Sequence, residues 1–229
     1  MLFWNDHSKM NNLTQAIAEY DAGKNARVPA DILALMNRCT EELKASGIEN
    51  RALRVGDRMP DFELPDQHGV LRRFSDYLKK APVVLSIYRG GWCPYCNLEM
   101  KALAAAQPEI ERHGALLVGM APELPDKALE TAANNGASFD ILSDSGNRVS
   151  ERLGLVFTLH EALRPIYERF GLDIPAYNGD RTFKLPLPAT YVVDRDGTIV
   201  HAFVDADYTR RLEPAEILRV LAARWPIVR

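Results

Sequence analysis

Cys93 and Cys96 are the residues of this chain best placed to do chemistry, three positions apart in Trp92-Cys93-Pro94-Tyr95-Cys96. A thiolate, not a thiol, is the reactive form of cysteine. On the first turn of a helix the i,i+3 spacing puts both sulfurs on one side, near enough to close a disulfide. The free N–H groups and positive dipole end of that turn lower a cysteine pKa from about 8.5 into a range of about 3.5–7.5. Pro94 suits the first turn, where its missing N–H costs nothing. Arg89, four residues before Cys93, adds a local cation. The competing chemistry is half of a zinc site, which needs about four ligands. Only Cys39 and five scattered histidines (His7, His68, His113, His160 and His201) remain, with no second close pair. A redox-active pair is therefore expected, with no metal and no prosthetic group.

The elements that must hold this pair follow from apolar periodicity. Residues 81–88 (APVVLSIY) and 115–121 (ALLVGMA) read as strands buried on both faces, and 139–142 as a shorter one. Helical spacing marks 94–107, 124–134 and 146–153, and a helix is expected over 158–170 despite Pro165. Residues 171–187 are rich in Pro and Gly and read as irregular. Two strands, 189–193 and 198–203, flank the turn Asp194-Arg195-Asp196-Gly197 as a hairpin, and a last helix covers 214–223. Parallel βαβ units, then a hairpin and a helix, predict an α/β fold: a thioredoxin-like three-layer α/β/α sandwich with a mixed central sheet. Residues 10–22 and 29–46 also carry helical spacing. In the second, Ile32, Leu35, Met36, Cys39 and Leu43 share a face, with Cys39 read as a core thiol or, alternatively, a secondary resolving residue. The domain boundary is placed between an N-terminal helical extension, 1–52, and the main domain, 53–229. The apolar faces of the extension must cover either the domain's own sheet or a second subunit, and a homodimer is expected.

Composition excludes several classes of function. A net charge of −3 gives no electrostatic case for nucleic acid or an anionic membrane. No apolar run approaches the roughly 18–20 residues that cross a bilayer. The first residues, MLFWNDHSKM, show no secretory signal pattern. Three cysteines make no disulfide framework, so the expected compartment is the cytoplasm. Trp4, Trp92 and Trp225 read as packing residues, Trp92 also shaping the site.

WCPYC resembles the W-C-x-x-C of thioredoxins, and Cys-Pro-Tyr-Cys is the glutaredoxin form of that motif. Residues 55–225 more closely resemble the AhpC/TSA branch of the peroxiredoxin superfamily. The likeness rests on Val55-Gly56-Asp57 with Pro60-Asp61-Phe62, on YRGGWCPYCNLEM and on PATYVVDRDGTIV. The peroxiredoxin pattern V-L-x-F-Y-P-x-x-F-T-x-x-C-x-x-E aligns without a gap from Val84 to Glu99. Cys93 then falls on the peroxide-binding Thr, Cys96 on the peroxidatic Cys and Glu99 on the Glu. The Arg that usually precedes A-T-F is replaced by Pro188, which resembles the cis-proline facing the pair in thioredoxins and is expected to be cis.

What the resemblance implies is a thiol peroxidase reducing hydrogen peroxide or an organic hydroperoxide, re-reduced by thioredoxin, glutaredoxin or glutathione. Its catalytic residues would be Cys96, Cys93 and Arg89, with Tyr88, Trp92, Tyr95, Glu99 and Pro188 around the substrate. In the preferred mechanism Cys96 attacks the peroxide and Cys93 resolves the sulfenic acid. In the other, Cys93 attacks disulfides and Cys96 resolves, as in a thiol–disulfide oxidoreductase. A redox sensor whose pair gates a partner surface is the third reading. Arg210 and Arg211 read as a solvated turn, with the alternative that they supply the missing substrate cation.

Overall fold

The computed structural model describes residues 12–226, so Trp4, His7 and the first two positions of the helix expected at 10–22 lie outside the described residues. Helix α1 (Leu13–Arg27) starts where the Asn12 side chain accepts the Gln15 amide at 3.1 Å, the bond that caps an otherwise unpaired donor. Pro29 separates it from α2 (Ala30–Ala45). A hairpin of two short strands, β1 (Glu63–Pro65) and β2 (Leu71–Arg73), leads into α3 (Phe74–Lys80). Strands of three residues carry too little alternation to stand out from a turn-rich sequence, and the periodicity above assigns nothing here.

The βαβ units follow. They are β3 (Val83–Ile87), α4 (Pro94–Arg112), β4 (Leu116–Ala121), α5 (Pro125–Asn135), β5 (Ile141–Ser143) and α6 (Arg148–Arg152). Helix α4 runs past Pro108, whose missing N–H removes one helical bond. Ile110, fully buried beyond it, keeps the last turn on the core. The helix expected over 158–170 is broken up. Residues 156–158 form β6 (Val156–Thr158), a single 3-10 turn follows, and α7 (Arg164–Arg169) begins with Pro165 in its first turn, where proline is tolerated. The stretch read as irregular contains α8 (Ile174–Asn178) and β7 (Lys184–Pro186), which pairs with β6. Then come β8 (Ala189–Val193), β9 (Ile199–Val204) and α9 (Pro214–Arg224).

The central sheet has the order β5-β4-β3-β8-β9, parallel from β3 to β5 and antiparallel across β8 and β9. Every residue of β3 and β8 is buried, so both faces of the sheet are covered. Alternation along β3 assigns its side chains to two cores. Val84 joins the layer of α4 and α9 with Met100, Leu103, Ile217 and Leu221, and Ile17, Tyr20, Ile32, Leu35 and Met36 of α1 and α2 pack on the same layer. Val83, Leu85 and Ile87 face the layer of Phe74, Leu78, Val149 and Leu153. These three layers are the predicted sandwich. The N-terminal helices cover the domain's own α4 side.

One expectation is corrected. No cis peptide bond occurs among the described residues, so Leu187–Pro188 is trans. The Leu187 amide bonds the Leu155 carbonyl at 2.8 Å and β8 begins two residues on. The chain passes extended from β7 into β8, with no reversal that would call for a cis bond.

Candidate active site

The sheet register places the end of β3 beside the start of β8 and aims the chain into the turn Arg89-Gly90-Gly91-Trp92. This turn needs its glycines. Gly90 adopts φ 140°, and a Cβ on Gly91 would stand 2.0 Å from Thr131 Oγ1 on α5, closer than any side chain tolerates. Glu123, at the end of the loop after β4, holds the turn from below. Its carboxylate accepts the Tyr88 hydroxyl at 2.5 Å, the Gly91 amide at 2.8 Å and the Thr131 hydroxyl at 3.2 Å. Asn97 donates to the Gly91 carbonyl at 2.7 Å from the other side. Burial pushes the Glu123 carboxyl up, and these donors pull it back.

Cys93 is the N-cap residue of α4 and Cys96 lies one turn in, 1% and 0% exposed respectively. Two buried arginines flank them. Arg211, from the loop between β9 and α9, donates from Nη2 to Cys96 Sγ at 3.2 Å and from Nε to Glu99 at 2.5 Å. Its Nη1 donates to the carbonyls of Tyr208 at 2.6 Å and Arg210 at 2.7 Å, so the guanidinium is locked in place. Arg89 is 2% exposed and sits among three aromatic rings, 5.0 Å from the Trp92 centroid, 5.9 Å from Tyr167 and 4.6 Å from Tyr208. It donates to the Tyr167 hydroxyl at 3.1 Å, while its Nε has no partner among the described residues.

These surroundings set the protonation of the pair. Burial opposes a Cys93 thiolate, but the Cys96 thiol beside it and the Arg89 and Arg211 guanidiniums outweigh burial and bring its pKa down to about 5. Burial and the neighbouring Cys93 charge push the Cys96 thiol up, against the pull of Arg211 and Arg89. The two sulfurs of the pair are thus driven in opposite directions, Cys93 down and Cys96 up. Burial raises Glu99 to about 7 even with Arg211 beside it.

Cys93 opens onto a cavity of about 380 Å³ walled by Trp92, Tyr95, Tyr167 and Tyr208, with Tyr20, Lys24 and Arg27 of α1 also lining it. The Tyr95 hydroxyl donates to Asp21 and accepts from Lys24, which ties α1 to the site. Of the residues expected around a substrate, Trp92 and Tyr95 therefore line the cavity. Tyr88 is fully buried and its hydroxyl is taken by Glu123. Glu99 lies beneath the pair against Arg211. Pro188 precedes β8 next to the end of β3, with its carbonyl accepting the Asp205 amide at 3.5 Å.

Arg211 corrects the expectation of a solvated turn. Its neighbour Arg210 behaves as expected, 61% exposed at the side chain and paired with Asp205, whereas Arg211 is 1% exposed. Nothing in the sequence separates two adjacent arginines in one loop. Glu123, Tyr167, Tyr208 and the α1 residues were missed for the same reason. Cys39 and Glu42 of α2 and His160 bring one ligand atom each to within 4.8 Å of one another, a juxtaposition that spacing did not show. His160 Nδ1 there accepts the Ala162 amide at 3.2 Å, and burial keeps the Cys39 thiol above its usual range.

If Arg89 is the cation that ionises Cys93, Arg89→Met moves that pKa back toward about 8.5. The thiolate fraction at pH 6.5 then falls by up to about 100-fold, and activity with it, while the loss vanishes above about pH 9. In the wild type the rate is expected to rise with pH through about 5 and to be level above. An ultraviolet titration of thiolate absorbance, run beside the pH–rate profile, checks both.

A family model described as AhpC/TSA matches residues 55–202 of the chain. Peroxiredoxin Bcp of Escherichia coli K12 is 25% identical over 67% of this chain and 86% of its own. Thiol-disulfide oxidoreductase ResA of Geobacillus kaustophilus is 28% identical over 66% of this chain and 70% of its own. The crystal structure of peroxidoxin BcpB from Mycobacterium tuberculosis shares the fold with a TM-score of 0.59 at 24% identity, covering 75% of this chain and 97% of that one.

Proposed function

The chain belongs to the AhpC/TSA family of peroxiredoxin-like thiol oxidoreductases, and we propose that it reduces peroxides through a Cys93/Cys96 dithiol–disulfide cycle in which Cys93 attacks first. The observation that carries this reading is the place of Cys93 in the wall of a cavity, where the Arg89 and Arg211 guanidiniums draw its thiol pKa down. The order is the reverse of the one implied by aligning Cys96 with the peroxidatic position.

The steps balance as follows. The Cys93 thiolate attacks one peroxide oxygen, the O–O bond breaks, and the departing alkoxide or hydroxide leaves as alcohol or water after taking a proton. Cys93 is then a sulfenic acid. Cys96 attacks that sulfur, water leaves, and the Cys93–Cys96 disulfide forms. Arg211 stabilises the Cys96 thiolate needed for this step, at 3.2 Å. Glu99, raised to about 7 and held on the other side of the same guanidinium, is matched in pKa to receive the Cys96 proton. Two electrons from thioredoxin, glutaredoxin or glutathione restore the dithiol, and the cytoplasm is the compartment proposed for the cycle.

A second reading keeps Cys96 as the attacking residue. It is favoured by one contact, the Arg211 guanidinium on Cys96 Sγ, which supplies a cation where the Pro188 position lacks one.

The test is peroxide consumption by the reduced protein with dithiothreitol as electron donor. Continuous turnover, with two thiols lost per peroxide when no donor is present, is the expected result. Absence of peroxide consumption beside Cys93-dependent reduction of a disulfide overturns the peroxidase reading in favour of a thiol–disulfide oxidoreductase. A single stoichiometric oxidation without turnover overturns it in favour of a sensor.

A further inference from the structure

We infer that the Cys93–Cys96 disulfide is re-reduced by a small anionic thiol of about tripeptide size that enters the cavity at Cys93, rather than by a protein dithiol docked at the surface. The inference rests on the dithiol–disulfide reading above and adds the class of reductant to it.

Access is the first argument. Thiol–disulfide exchange needs the attacking sulfur to reach a disulfide sulfur directly. Both cysteines are buried, and the cavity at Cys93 is lined on the α1 side by Tyr20, Lys24 and Arg27. The Tyr95 hydroxyl, bonded to Asp21 and Lys24, fastens that helix down. With Cys93 1% and Cys96 0% exposed, a bulky dithiol held at the protein surface does not reach either sulfur. The cavity, about 380 Å³, is within the ordinary range of about 300–1,000 Å³ for small-ligand sites.

Charge is the second argument. Arg89 is buried, its Nε is unpartnered, and its single hydrogen bond among the described residues goes to a neutral phenol. In the reduced protein the Cys93 thiolate answers that charge. Disulfide formation removes the thiolate and leaves the guanidinium without an anion in a water-poor aromatic box, which is costly. The oxidised state therefore draws an anion into this cavity. In the cavity wall Lys24 is paired with Asp21 at 2.9 Å, and Arg27 beside it, with no ion pair among the described residues, is the cation placed to meet a carboxylate. A thiol with carboxylate groups and a short flexible backbone satisfies both positions.

The exchange is balanced. The incoming thiolate attacks Cys93 Sγ, the Cys93–Cys96 bond breaks, and the electron pair stays on Cys96 as a thiolate beside Arg211. A second molecule of the thiol, as thiolate, attacks the mixed disulfide and leaves as the symmetrical small disulfide. Cys93 is thereby restored as thiolate, and Cys96 takes up one proton.

The experiment oxidises the protein with diamide, which needs no peroxidase activity, and follows recovery of Cys93 and Cys96 thiols with glutathione, reduced thioredoxin or dithiothreitol. Glutathione at millimolar concentration is expected to outpace micromolar thioredoxin and to saturate. In Arg27→Glu the ratio of the glutathione rate to the dithiothreitol rate is expected to fall about tenfold. Faster reduction by thioredoxin, or an unchanged ratio in Arg27→Glu, overturns the inference and leaves the peroxidase reading standing. Failure of diamide to join Cys93 to Cys96 overturns the dithiol cycle and the inference together.

Discussion

Cys93→Ser is expected to consume peroxide at least about 1,000-fold more slowly than the wild type, because a serine hydroxyl at neutral pH offers no comparable nucleophile. Cys96→Ser is expected to behave differently. Its Cys93 still ionises beside Arg89 and still attacks, so one equivalent of peroxide disappears at a rate within about tenfold of the wild type. The reaction then stalls at the Cys93 sulfenic acid, which a dimedone-type trap captures and mass spectrometry locates. Stopped-flow measurement of the first oxidation in each variant decides the order of attack. If Cys96→Ser loses the first step and Cys93→Ser keeps it, Cys96 is the attacking residue and Arg211 is the cation that serves the peroxide. The sign of this pair of results does not depend on the reductant.

Arg211→Met is expected to destabilise the protein by about 3–5 kcal/mol, the usual cost of removing one member of a buried ion pair. Arg211 and Glu99 are 1% and 2% exposed at the side chain and 2.5 Å apart, so solvent cannot take over the charge of either. Denaturant midpoints measure the loss. Glu99→Gln in the same background removes the buried carboxyl and is expected to recover a large part of the loss at pH values above the raised Glu99 pKa, where that carboxyl would otherwise be charged. Recovery of nothing would mean that packing, not charge, holds the pair.

The pH dependence of this stability has a definite sign. Burial raises the folded pKa of Glu99 to about 7, above that of the unfolded chain. The folded state then binds the extra proton, and the stability this contributes is full below about 4.5 and lost as pH rises through 7. Without Arg211 to pull it down, the Glu99 pKa moves higher and the falling window extends above 7. In Arg211→Met, activity is expected to fall as well, since Cys96 loses the guanidinium that stabilises its resolving thiolate.

Glu123 and Arg211 show how the site is divided between local and distant information. Each lies far along the chain from the cysteines, and each reaches the site because a strand delivers it. Glu123 follows β4, whose parallel register with β3 carries it under the Gly91 turn. Arg211 follows β9, whose pairing with β8 carries the next loop over Cys96. The α1 residues arrive by packing on α4 rather than by pairing, with Tyr20 edge-on to Tyr95 at 5.1 Å. Arg210 and Arg211 are the sharpest case, being chemically identical neighbours of which one is solvated and one is buried against Cys96.

The cysteine pair, its place at a strand-to-helix turn, the proline that starts α4, and the order of the central-sheet strands with α4, α5, α6 and α9 were legible in the sequence alone. All of these rest on interactions between residues a few positions apart, and such spacing is what periodicity and capping rules read. Tertiary structure alone decided which arginine faces Cys96, which residues line the cavity at Cys93, that Leu187–Pro188 is trans, and in which direction each thiol is driven. Those outcomes depend on sheet register and helix packing, which bring together groups a hundred positions apart, and on burial, which makes each charge answer to the few neighbours left when water is gone.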